Sequence, residues 1–303
     1  RGLTVEQRGS GRVVAGELTA DGSRIDLDGA NRVTGIGALT TSGGGGIIFR
    51  NEGDIIFDQS RFVTSGGRGP LTLISDTGRI TQVSAMDTLR LTARAAQGID
   101  LTHAQNNVDM ITGLSSTSGD IGFTTIGSLN LNGDVTASGT VRLHSGGSII
   151  QSLGSISAAR LETSAQWVTT LQSAGNNVAR PGNMETRGSG SIRYTGAGSF
   201  DLDGDINALD QSVEFVSADA NAVIRQLSGT ITAGQIILSG GSYTLAGTNQ
   251  ILSLGASDLR GLEPSPTTDL DLLGLVRVAG DLKITADDVQ RVARTYFNAS
   301  NRF

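Results

Sequence analysis

The sequence predicts an all-β solenoid, a parallel β-helix with about three strands per coil. Three observations point there. Glycine supplies 43 of 303 residues without forming a linker. Short anchors recur at a long, regular period. Apolar and polar residues alternate in runs too short for a sandwich or a propeller blade.

Glycine stands at about twice its usual ~7% share. The longest Gly/Ser tract, Ser42 to Gly46, runs straight into Ile47, Ile48 and Phe49, so the glycines mark turns. With 37% hydrophobic residues the chain can bury a core, which excludes disorder. Four prolines and no G-x-y period exclude collagen. No apolar run approaches the ~20 residues of a membrane span. A net charge of −6 and a single lysine, Lys283, offer no basic face for nucleic acid.

The repeats carry the fold. Asn-x-[Val/Ile] occurs at Asn31, Asn106, Asn176 and Asn249. The stretch Gly127 to Val135 (GSLNLNGDV) returns as Gly198 to Ile206 (GSFDLDGDI), with weaker copies from Gly53 and Gly274. A third anchor is Leu18-Thr19-Ala20, Val83-Ser84-Ala85, Ile156-Ser157-Ala158 and Ile231-Thr232-Ala233. A fourth is glutamine after an apolar residue, at Gln82, Gln151 and Gln226. The super-repeats therefore run 16–85, 86–158, 159–233 and 234–303, within one array spanning 1–303.

Each super-repeat of ~73 residues holds about nine short strands, enough for three stacked coils. The anchor asparagines then stand about three coils apart, too far to form a ladder. Each is expected to hydrogen-bond its own local turn. The alanines at 20, 85, 158 and 233 suit tight corners of the core. The chain reads as a segment of a longer protein.

The rung Gly127 to Ala137, the segment Gly146 to Ala158 and the Asn-x-Val elements resemble the repeats of filamentous-haemagglutinin-type exoproteins of Gram-negative bacteria. The resemblance covers roughly 16–285. It implies a right-handed parallel β-helix, export through an outer-membrane partner or as an autotransporter-type passenger, and a surface adhesin or biofilm fibre. The implied location is secreted or on the bacterial cell surface. The implied partners are a glycan or protein receptor and neighbouring copies along the fibre axis.

Catalytic chemistry finds little support in the residues. A polysaccharide lyase or hydrolase of this architecture needs carboxylates clustered on adjacent coils at ~5–9 Å. The adjacent acids Asp287 and Asp288, near Arg291, have no Gly-His-Gly or Arg-x-Lys element beside them. Asp201, Asp203 and Asp205 alternate along one strand face and form a weak calcium candidate. Their counterparts Asn130, Asn132 and Asp134 read more like a solvated repeat face. Two histidines, His103 and His144, with no cysteine, leave a zinc site or a Ser-His-Asp arrangement without support. No cofactor is expected.

Three departures from the repeat are the places to look for recognition. The fourth copy carries an insertion with Arg260, Glu263, Pro264, Pro266 and Asp269, expected as a loop because proline cannot donate to a ladder. Trp167, the single tryptophan, falls at a one-residue enlargement of the third copy, as a packed corner or an aromatic suited to sugar stacking. The segment 286–297 has a helical stripe but is read as a further coil. The expectation is a non-catalytic segment of a surface fibre. The alternatives are a self-assembling filament subunit and a β-helix polysaccharide lyase or hydrolase.

Overall fold

In the computed structural model of the chain, the described residues are 3–57, 62–65, 68–246, 248–259, 261–263, 271–272 and 276–278. Their regular elements are all β-strands, stacked in parallel as a β-solenoid, with no helix among them. The chain divides into two compact units, residues 1–161 and 162–303.

One coil of the first unit shows why this sequence folds this way. Ile121–Thr125, Leu129–Asn132 and Val135–Ala137 are three strands separated by the glycine-bearing turns 126–128 and 133–134. Their partners one coil on are Val141, Ile149 and Ile156, paired with Ile121, Leu129 and Val135 respectively. Alternation places Ile121, Phe123, Leu129, Leu131, Val135 and Ala137 inside, and Gly122, Asn130 and Thr136 outside. Three strands per coil is the expected count.

The interior is built of unbroken aliphatic columns. Ile25, Ile47, Leu71, Leu91, Ile111 and Leu131 pair in succession through six coils, all buried. Ile55, Ile80, Ile99, Ile121 and Val141 form a second column. Each buried aliphatic side chain contributes about 1.5–3 kcal/mol, and no coil can bury its inner face alone.

The second unit uses the same plan with larger fillers. Ile192, Val213, Ile236 and Leu254 form one column, and Leu171, Tyr194, Phe215 and Leu238 another. Tyr194 meets Phe200 edge-on at a centroid distance of 5.2 Å, and Phe200 lies 6.3 Å from Phe215. The Tyr243 hydroxyl is shared between the carbonyls of Phe215 and Ser239, at 3.0 and 2.9 Å.

Two local expectations need correcting. Several strands are longer than the alternation suggests, because they continue around a corner: Met86–Ala95 and Asn107–Ser116 each run ten residues. Their mutual register slips between Ile111 and Gly113, where the bend falls. The third anchor is also out of phase in its second copy. Val83 is 65% exposed, whereas Ile156 and Ile231 are fully buried. Met86 takes that inward place, two residues after a half-buried Ser84.

Candidate functional site

The anchor asparagines are buried and bonded to more than one coil. Asn31, Asn106, Asn176 and Asn249 are all fully buried. Asn106 accepts from Gln82 Nε2 at 2.8 Å and from the Met86 amide at 3.0 Å, both in the preceding coil. Its Nδ2 reaches Gln82 Oε1 at 2.8 Å, Leu101 O at 3.0 Å and Thr124 O at 3.1 Å. One side chain thus ties three successive coils.

The same reciprocal amide pair recurs. Gln7 and Asn31 exchange bonds of 2.8 and 3.3 Å, and Val13 N donates to Asn31 Oδ1. Gln226 and Asn249 exchange bonds of 2.9 and 2.8 Å, and Ile231 N donates to Asn249 Oδ1. The asparagines therefore do more than satisfy their own turns. The signal for this pairing lies in the near-constant interval between the two anchors: Gln82 precedes Asn106 by 24 residues and Gln226 precedes Asn249 by 23.

Gly-Asp pairs at the turns have a role of the same kind. In Gly53-Asp54, Gly119-Asp120, Gly133-Asp134 and Gly204-Asp205, the aspartate Oδ1 accepts an amide from the following coil. The donors are Arg79, Thr140, Ser155 and Thr230, at 2.7–2.9 Å. Each donor follows a glycine stacked on the turn below. Gly154 and Gly229 adopt φ of +76° and +77°, and a Cβ there would lie 2.4 and 2.2 Å from the backbone of Gly133 and Gly204. Only glycine meets both demands.

The three acids proposed as a cation site lie within this stitching. Asp201 is ion-paired to Arg225 at 2.9 Å, Asp203 accepts from the Ser228 hydroxyl at 2.7 Å, and Asp205 holds the Thr230 amide. Each faces the coil above, so their bonds run along the stack instead of converging. Among the described residues no group of three or more His, Asp or Glu is placed to hold a metal ion. His103 closes its own turn, its Nδ1 accepting from the Gln105 amide at 3.1 Å.

Outer faces carry further coil-to-coil ion pairs. Glu52 lies between Arg12 and Arg32, whose hydrogen bond and charge hold its carboxyl below the usual range. Arg68 bridges Asp87 and Asp109, each at 2.7 Å, and donates to the carbonyls of Thr88 and Asn107. The paired groups are partly exposed and screened by solvent, so each bridge adds little to stability. A shallow groove of about 610 Å³ crosses four coils of the first unit, with Arg79, Thr81, Asp100, Thr102, Asp120 and Arg142 in its lining. Gly122 leaves its floor without a side chain.

Of the recognition candidates, Glu263 ends the strand Gly261–Glu263. Arg260, Pro264, Pro266 and Asp269 lie outside the described residues, as do Asp287, Asp288, Arg291 and the segment 286–297. Trp167 sits in the turn between Ile156–Ala165 and Thr169–Leu171 and is 52% exposed. Its Cε3 and Cζ3 come within 2.8 and 2.7 Å of where a Cβ on Gly188 would stand, so it leans on the next coil's corner and also faces solvent. No family model, curated protein or solved structure matches this chain.

Proposed function

We propose that this chain is a non-catalytic segment of a secreted bacterial surface fibre, giving mechanical reach and adhesion to cells, a host surface or matrix. The observation that supports this reading is how the outer polar groups are used. Asp54, Asp120, Asp134 and Asp205 bond the backbone of the next coil, and Asp201 pairs with Arg225. Outward chemistry is spent on stacking, which suits a scaffold that bears load. The proposed export partner is an outer-membrane transporter, and the proposed location is the cell surface. A chain without cysteine suits export in the unfolded state, since no premature disulfide can trap it.

The test is binding of the purified segment to bacterial and host cells and to a broad glycan array. Saturable binding without consumption of the bound material is expected. Absence of binding to every surface overturns adhesion.

A polysaccharide lyase or hydrolase is the second reading, and the groove at Asp100, Asp120, Arg79 and Arg142 favours it. Against it, Asp120 already holds Thr140 N and Arg142, and Asp100 accepts from Thr102. Depolymerisation of an acidic polysaccharide, abolished by Asp120→Asn, would establish the enzyme and displace the scaffold reading.

A further inference from the structure

We infer that the corner of the second unit around Trp167 is a carbohydrate-stacking site; the inference rests on the adhesive reading and names its ligand class. Four observations meet at this corner.

The first is the exposure itself. Phe49, Phe57, Phe123, Phe200, Phe215, Tyr194 and Tyr243 are all buried, while Trp167 is left 52% exposed. A solenoid with room for seven large aromatics inside has no packing need to leave the largest one in water. The second is the seat. Gly188 lies beneath the indole, and any side chain there would strike Cε3 and Cζ3. The ring is therefore held by the adjacent coil, which keeps its orientational entropy low before any ligand arrives.

The third is Leu209. Thr169 pairs with Ile192 and Ile192 with Val213. Trp167, Gly188 and Leu209 lie in the turns that lead into Thr169, Ile192 and Val213, so Leu209 belongs to the same corner two coils on from Trp167. Leu209 is 45% exposed and has φ of +53°, the one non-glycine in the left-handed region among the described residues. That conformation costs about 1–2 kcal/mol in a non-glycine residue, yet here it holds an apolar side chain in solvent.

The fourth is the polar rim. Arg187 and Ser189 flank Gly188 and are exposed, and Asp210 and Gln211 follow Leu209, bonded to each other at 2.9 Å.

The dimensions select the occupant. One half-exposed indole and one half-exposed leucine offer far less than the ~800 Å² per partner of a stable protein interface. Their apolar area suits the face of a single pyranose, whose hydroxyl edge would meet the guanidinium, hydroxyl, amide and carboxylate of the rim. Such a site is weak alone and gains strength when many copies meet one glycan.

Because Trp167 is the single tryptophan, its emission reports this corner alone. Cellohexaose, chitohexaose and a hyaluronan octasaccharide are titrated against the whole chain, with cell adhesion measured in parallel. A saturable change of emission with at least one sugar is expected. Neither variant keeps a tryptophan, so their affinities are read by isothermal titration calorimetry alongside the native chain: Trp167→Ala should bind that sugar about tenfold more weakly with an unchanged melting temperature, and Trp167→Phe should recover most of the affinity. No emission change with any of the three, or equal sugar binding by Trp167→Ala, overturns the site. An emission shift that follows protein concentration without sugar also overturns it, in favour of contact between copies. Full cell adhesion by Trp167→Ala overturns the site and leaves the adhesive reading standing. Failure of the native chain to adhere overturns both.

Discussion

The two compact units build the same coil from different materials. The first, 1–161, is closed by polar clamps: two Gln–Asn pairs at Gln7–Asn31 and Gln82–Asn106, with Asn51 bonded to both backbone groups of Val33. Its columns are largely aliphatic, with Phe49, Phe57 and Phe123 also buried among them. The second, 162–303, also has the Gln226–Asn249 pair, but its interior holds the contiguous aromatics Tyr194, Phe200 and Phe215, with Tyr243 hydrogen-bonded into the wall. A stacked coil can thus be held in register either by directional hydrogen bonds or by the shape of a large side chain. The first route tolerates small, interchangeable aliphatics, because register is set elsewhere. The second makes packing itself specific.

Perturbations of each device should separate the units. The largest effect is expected from Phe215→Ala, which leaves a cavity beside Phe200 and costs about 3–5 kcal/mol. Hydrogen exchange should show the loss confined to 162–303. A loss spread evenly over both units would break the comparison.

Asn106→Ala comes next, at about 3 kcal/mol, because it strands the Met86 amide and the Thr124 carbonyl as well as Gln82. Urea unfolding is the measurement. The Gln82→Leu, Asn106→Leu double variant should cost much less than the sum of the singles, since neither partner then lacks its mate.

Alkaline pH discriminates the units without mutation. Burial raises the Tyr194 and Tyr243 hydroxyls above their ordinary value of 10.0, and all three tyrosines of the chain lie in 162–303. A folded-state value above the unfolded one contributes stability below about pH 10 that is lost as pH rises. The second unit should therefore lose exchange protection first above pH 10, and Tyr243→Phe should blunt that loss.

Two smaller effects complete the series. Leu209→Gly should raise stability by about 0.5–1 kcal/mol, since glycine tolerates the positive φ. Asp201→Asn should change it by less than about 1 kcal/mol, because the partner Arg225 is more than half exposed. A thermal melt resolves both.

Much of this architecture was legible one residue at a time. Alternation in Ile121-Gly-Phe-Thr-Thr125 and Leu129-Asn-Leu-Asn132 marks the buried face, and the glycines mark turns. The strand Met86–Ala95 turns a corner without stopping and has no Gly or Pro at its bend, so alternation alone delimits only a shorter segment of it. Val83 was aligned with Ile156 and Ile231 by its Ser-Ala suffix, yet the inward place belongs to Met86, whose amide is the one that meets Asn106. The acids at 201, 203 and 205 alternate in the sequence, but the strand ends at Asp203 and Asp205 lies past the turn at Gly204, and their partners lie a coil away, at an interval of 24 to 25 residues.

The sequence by itself determined the period, the parallel stacking and the inward columns, because these follow from local alternation and from repeats that cannot bury their faces alone. Only the tertiary structure decided what the polar anchors bond to. Gln82 and Asn106 are distant in the chain and neighbours in space, and their pairing depends on the length of each intervening coil. The same holds for Trp167, whose exposure and seat on Gly188 arise from how one coil's corner meets the next.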